Sequence, residues 1–152
     1  MKFSQGTVHQ ILRELKQCEG KRAGFAALFT GPNAADKAAV IAQISKKSGH
    51  GLYRVDLRAT VSEFIGETEK NLNRIFDDAQ QRNAILFFDE ADALFGKRTD
   101  VKDAHDRFAN IETDYLLQRV ETFAGLAIFV TNQHHDFDEA FLARFRFVVE
   151  FC

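Results

Sequence analysis

Apolar positions follow two rhythms along this chain. Val8, Ile11, Leu12 and Leu15 recur at i, i+3, i+4 and i+7, which predicts a helix over Thr7–Cys18 that Glu19-Gly20-Lys21-Arg22 ends. Beyond it come apolar runs too short for helices: Phe25–Thr30, Leu52–Asp56, Ala84–Asp89, Leu126–Thr131 and Phe147–Phe151. These read as strands. Helical stretches fill the gaps, at about Ala35–Lys47, Glu67–Arg82, Phe108–Phe123 and Asp138–Ala143. Strands alternating with helices predict an α/β fold: a parallel sheet with helices on both faces.

Composition narrows this picture a little. The chain has 152 residues, one domain's worth, with 45% hydrophobic and 28% charged positions, which suits a globular core. Sixteen phenylalanines and no tryptophan point to a Phe-rich interior. A net charge of −2 gives no electrostatic case for nucleic acid or a membrane surface as partner. Cys18 and Cys152 are isolated and lack metal-ligand spacing, and His50, His105, His134 and His135 make no metal pattern. No signal-peptide pattern precedes the first helix and no apolar run approaches membrane-spanning length, so a reduced, cytoplasmic chain is expected.

The candidate chemistry starts where an apolar run stops on carboxylates. Positions 85–92 read Ile-Leu-Phe-Phe-Asp-Glu-Ala-Asp. A buried parallel strand delivers its last residues to the carboxyl edge of the sheet, where ligands of such sheets bind. There Asp89 would hold a Mg²⁺-bound water, and Glu90 would polarise the water that attacks a γ-phosphate. The plain alternative is a buried strand running into a helix N-terminus, where acids are favoured anyway.

Upstream, the run ending at Thr30 is followed by Gly31-Pro32-Asn33-Ala34-Ala35-Asp36-Lys37-Ala38 and then a helical stretch. Strand, loop, lysine, helix is the layout of a phosphate-binding loop, and Gly31 and Lys37 stand at its GxxxxGK separation. Asp36 replaces the second motif glycine, and Ala38 replaces the Ser/Thr whose hydroxyl coordinates Mg²⁺. A carboxylate at about 4 Å from one phosphate charge costs about 4 kcal/mol at an effective dielectric near 20. Asp is also a good helix N-cap, so the Asp36 carboxylate is expected to face the first-turn N–H groups and fill the anion site itself.

These motifs, with Ile65-Gly66-Glu67-Thr68-Glu69-Lys70-Asn71-Leu72, Asp89–Thr99, Asp103–Arg107 and Thr131-Asn132, fall in the order of one family. From about Gly24 to Phe151 the chain resembles the large subdomain of an AAA+ ATPase, as in bacterial AAA proteins with IGETEKNL and DEADALFGKRT. The resemblance implies a three-layer P-loop NTPase-type sandwich with strand order 5-1-4-3-2. It divides the chain into an N-terminal helix and linker (1–23) and the α/β subdomain (24–152). It also implies a small helical lid after the last strand; these 152 residues carry none, which leaves open a truncated sequence or a gene product without a lid.

By the same resemblance Gly31–Ala38 would bind ATP, Asp89 would hold Mg²⁺, Glu90 would activate water and Asn132 would sense the γ-phosphate. Arg144 or Arg146 would reach the phosphates of a neighbouring subunit; ordinary surface arginines are the alternative. Phe64-Ile65-Gly66 would line a ring's pore and grip a polypeptide, or else pack under the next helix; Glu63 departs from the basic residue usual before the aromatic. The implied partners are AAA+ ring subunits, of the same or another chain, and a polypeptide substrate. With the loop so altered, binding of ATP and Mg²⁺ is expected to be weak or absent in the isolated chain. Two functions stay open: an ATPase module coupled to protein remodelling, and a catalytically dead domain kept for assembly.

Overall fold

A computed structural model describes residues 2–18, 24–60, 64, 66–92, 104–132, 137 and 139–151, excluding the side chains of 104–112. The elements run α1 (Gln5–Cys18), β1 (Phe25–Thr30), α2 (Ala34–Ser48), β2 (Leu52–Asp56), α3 (Leu57–Thr60), α4 (Glu67–Gln81), β3 (Ile85–Asp89), α5 (Ala104–Thr122), β4 (Leu126–Val130), α6 (Glu139–Leu142) and β5 (Phe147–Glu150). The five strands form one sheet in the order β2-β3-β4-β1-β5, and every pairing is parallel. This is the predicted order, read from its other end.

Strand alternation sorts the core into two halves. Ala26, Leu28, Leu86, Phe88, Ala127 and Phe129 turn to one face, where Leu72 and Phe76 of α4 and Leu116 and Val120 of α5 cover them. Phe25, Ala27, Phe29, Ile85, Ile128 and Val130 turn to the other, under Val8, Ile11 and Leu15 of α1 and Val40, Ile41 and Ile44 of α2. The central strands β1 and β4 are buried at every position, so they read as unbroken apolar runs. The Phe-rich expectation holds in detail: Phe88 stacks on Phe129 at 4.7 Å, and Phe76 meets both Phe88 and Phe123 edge-on or tilted.

Two features lay outside the periodicity. The four-residue turn α3 directly follows β2; the Asp56 carboxylate accepts the Arg58 backbone N–H at 2.9 Å, a local cap that apolar spacing does not register. At the far edge, Lys2 bridges to Glu150, Phe3 donates its N–H to the Glu150 carbonyl at 3.1 Å, and the Phe3 and Phe151 rings stack. The N-terminal residues thereby cover part of the open edge of β5.

In a parallel sheet all strand ends of one kind share an edge. Thr30, Asp89 and Val130 close their strands together, so the segments that follow them must meet. Gly31 makes the first of those exits. Its φ is +115°, and a Cβ there would stand 2.0 Å from the Phe151 carbonyl oxygen. Gly31→Ala is therefore expected to lower stability by about 2 kcal/mol or more in denaturant melts, through backbone strain and a steric clash combined.

Candidate functional site

The site is assembled at the carboxyl edge, around a buried lysine. Lys37 belongs to the first turn of α2, which also carries Val40 and Ile41 into the core, and its side chain is 1% exposed. Its ammonium donates to the Gly31 carbonyl at 2.5 Å and the Thr131 carbonyl at 2.8 Å. Those are the residues immediately beyond β1 and β4, so one cation ties the two central strand exits together. Burial pushes the Lys37 pKa below the ordinary lysine value, while Asp92, Asp89 and Glu90 favour the charged form.

Asn132 links this cation to the acids. Its Oδ1 lies 3.5 Å from the Lys37 ammonium, and its Nδ2 donates to Glu90 Oε2 at 3.3 Å. A primary amide offers an acceptor and a donor on two separate atoms, which suits this bridge. The Asn132 backbone N–H donates to Asp92 Oδ2 at 2.8 Å. Glu90 itself has φ +57°, a left-handed conformation that non-glycine residues rarely adopt. Asp89 Oδ1 accepts the Glu90 N–H at 2.9 Å, a local bond that supports this bend.

The other Asp89 oxygen, Oδ2, accepts from the Arg54 guanidinium at 2.6 Å. Beside that pair, Arg58 chelates Asp56 and holds its carboxyl below the usual range, chiefly through their side-chain hydrogen bond. Sequence reasoning missed Arg54 and Asp92. Asp92 lies within the acidic motif, so it was within reach. Arg54 had no local signal, because only the pairing of β2 with β3 brings it to Asp89.

The expected self-filled anion site is corrected by the loop geometry. Asn33, not Asp36, caps α2: its Oδ1 accepts the Asp36 N–H at 3.1 Å. The Asp36 carboxylate is exposed and takes the Asn33 Nδ2–H at 2.7 Å instead of facing the first-turn amides. The two side chains close on each other because they lie three apart at N-cap and N3, a variant of the reciprocal capping box. The Lys37 N–H is also spent, on the Asn33 carbonyl. Gly31 and Lys37 are buried, while Pro32, Ala34, Ala35 and Ala38 are exposed and bring no polar side chain.

The structure thus brings Lys37, Asp89, Glu90 and Asn132 together from distant parts of the sequence. It does not bring Arg144 or Arg146 to them. The Arg146 N–H donates to the Ala26 carbonyl, just before β5 begins, so both arginines lie at the amino edge of the sheet. Arg144 pairs with Asp114 and Glu121, and Arg146 with Glu14. Phe64 is 72% exposed, so it does not pack under the next helix; Gly66, at φ +79°, precedes α4, and Ile65 lies outside the described residues.

Residues 27–152 match the profile of the ATPase family associated with various cellular activities. The chain belongs to the AAA family. It is 31% identical over 128 residues to cell division protein C of Sulfolobus acidocaldarius, covering 78% of this chain and 34% of that protein. It is 31% identical over 150 residues to the AAA family ATPase y4kL of Sinorhizobium fredii, covering 96% of this chain and 44% of that one. It is also 32% identical over 115 residues to the ATPase family gene 2 protein of Schizosaccharomyces pombe, with 74% of this chain and 14% of that protein covered. The AAA chain described here spans less than half the length of each of these relatives.

Membership of the AAA family implies a nucleotide, usually with Mg²⁺. The residues as arranged do not fit that pair. The Asp36 and Lys37 amides are spent within the loop, the Lys37 ammonium on two carbonyls, and the Asp89 carboxylate on Arg54 and Glu90. Ala38 has no hydroxyl to offer a metal.

Lys37→Met is expected to cost about 2–4 kcal/mol at neutral pH, because two buried carbonyls lose their donor. The Lys37 pKa is lowered in the folded state, so the unfolded chain binds more protons between that value and 10.5. The titration-linked part of the lysine's contribution is therefore complete above 10.5 and is lost as pH falls through the folded value. Paired denaturant melts at neutral and alkaline pH should show the deficit of Lys37→Met widening as pH rises.

Proposed function

We propose that this chain is the α/β subdomain of an AAA+ assembly whose own ATP turnover is at or near background, and that it serves its ring through contacts with partner subunits. The observation that carries this reading is the Asn33–Asp36 pair, which turns a phosphate cradle into a capped helix start. The absent Ala38 hydroxyl and the Asp36 charge act in the same direction. Residues 24–152 would be the ring-forming unit and 1–23 its N-terminal extension, in a cytoplasmic assembly with copies of this chain or of another. The exposed Phe64 suits a pore-facing grip on a polypeptide substrate, with Ile65 and Gly66 beside it. Arg144 and Arg146, at the amino edge, could meet a phosphate only on a neighbouring subunit and after releasing Asp114, Glu121 or Glu14.

A second reading, an active ATPase, is favoured by the convergence of Lys37, Glu90 and Asn132. In that case the capped loop is a resting form that nucleotide opens. Steady-state turnover separates the two. The isolated chain should hydrolyse ATP at background, and turnover clearly above it that Glu90→Gln abolishes would replace the first reading with the second.

Asp36→Gly combined with Ala38→Thr should produce measurable ATP–Mg²⁺ binding by calorimetry. The pair of changes removes the like charge and the Asn33 partner, and returns a metal-ligand hydroxyl. A folded double variant with no gain over the parent would show that the loop is not the limiting defect.

A further inference from the structure

The Asp89 carboxylate already has a cation. Val55 of β2 and Phe88 of β3 turn into the core on one face of the sheet, so Arg54, Phe87 and Asp89 turn to the other. The register sets Arg54 opposite Phe87 and Asp56 opposite Asp89, which leaves Arg54 and Asp89 as diagonal neighbours within reach of a long side chain. The Arg54 guanidinium meets Asp89 Oδ2 at 2.6 Å while Glu90 N–H holds Oδ1, so both carboxylate oxygens carry a donor. The surrounding acids are met by protein cations as well: Arg58 holds Asp56, and Lys37 lies in the field of Asp89, Glu90 and Asp92.

We propose that Arg54 is the resident counter-ion of Asp89 and closes this carboxylate to divalent metal, so that a metal reaches Asp89 only by displacing the guanidinium. The competition is direct, since both cations need the same Oδ2 lone pairs and repel each other at that range. Arg54 is 56% exposed on its side chain, so it can swing away without unpacking the core; the closure is a contest of charges rather than a wall. The proposal rests on reading Asp89 as the metal-side carboxylate of an AAA site. It does not depend on whether ATP is turned over.

The experiment is Mn²⁺ uptake by the full chain without nucleotide, read from loss of the free-ion paramagnetic resonance signal. Arg54→Met keeps the apolar stem and removes the charge. It should bind Mn²⁺ at least about fivefold more tightly than the parent, as expected for deleting a unit charge beside the ion. Adding Asp89→Asn should abolish the gain. Equal uptake by the parent and Arg54→Met, or no uptake by either, overturns the closure by Arg54. A gain that survives Asp89→Asn overturns the reading of Asp89 and moves the metal elsewhere, whatever the ATPase result. If circular dichroism shows Arg54→Met unfolded, Arg54→Gln, neutral and polar at an exposed position, takes its place with the same outcomes.

Discussion

The site depends on one buried ammonium. Lys37 is carried inward by a helix whose other inward residues are aliphatic, and it stops where β1 and β4 run out of ladder partners. A carbonyl at a strand exit cannot be left dry, since a buried unpaired acceptor costs about 1–3 kcal/mol. Lys37 satisfies two of them at once. In return, the carbonyls, the Asn132 amide and the nearby acids repay part of the cost of burying its charge. The geometry of Gly31, Thr131 and Asn132 thus follows from where that one charge sits.

The acids obey the same rule of local neutralisation. Asp56, Asp89, Glu90 and Asp92 crowd the carboxyl edge, and Arg58, Arg54, Asn132 and Lys37 meet them. Glu90 is held in a left-handed conformation that costs about 1–2 kcal/mol for a residue with a β-carbon. The bonds from the Glu90 N–H to Asp89 Oδ1 and from Asn132 Nδ2 to Glu90 Oε2 hold that bend in place. In the loop beside it, Asn33 and Asp36 pair with each other and Asn33 caps the helix start.

Much of this was legible from residue order. The two apolar rhythms located the strands and the main helices, because a strand buried on both faces and a helix buried on one leave different spacings. The strand order came from the family motifs and not from the spacing. The convergence of Lys37, Asp89, Glu90 and Asn132 followed from the parallel sheet alone, which sends every strand exit to one edge. The capping role of Asp36 was assigned to the wrong residue: Asn and Asp are near-equal caps, and the choice between them turned on where the helix begins, at Ala34.

By itself, then, the sequence determined the layering, the position of the acidic strand end, the altered loop and the family. Those properties are written in neighbouring residues and in periodicity, which act over a few positions. Tertiary structure alone decided that Lys37 serves two carbonyls and that Arg54 partners Asp89. It also placed Arg144 and Arg146 at the opposite edge of the sheet. Arg54 and Asp89 meet across adjacent strands, Lys37 reaches from a helix to two strand exits, and the arginines pair with helices; such long-range contacts are fixed only once the whole sheet and its layers have formed.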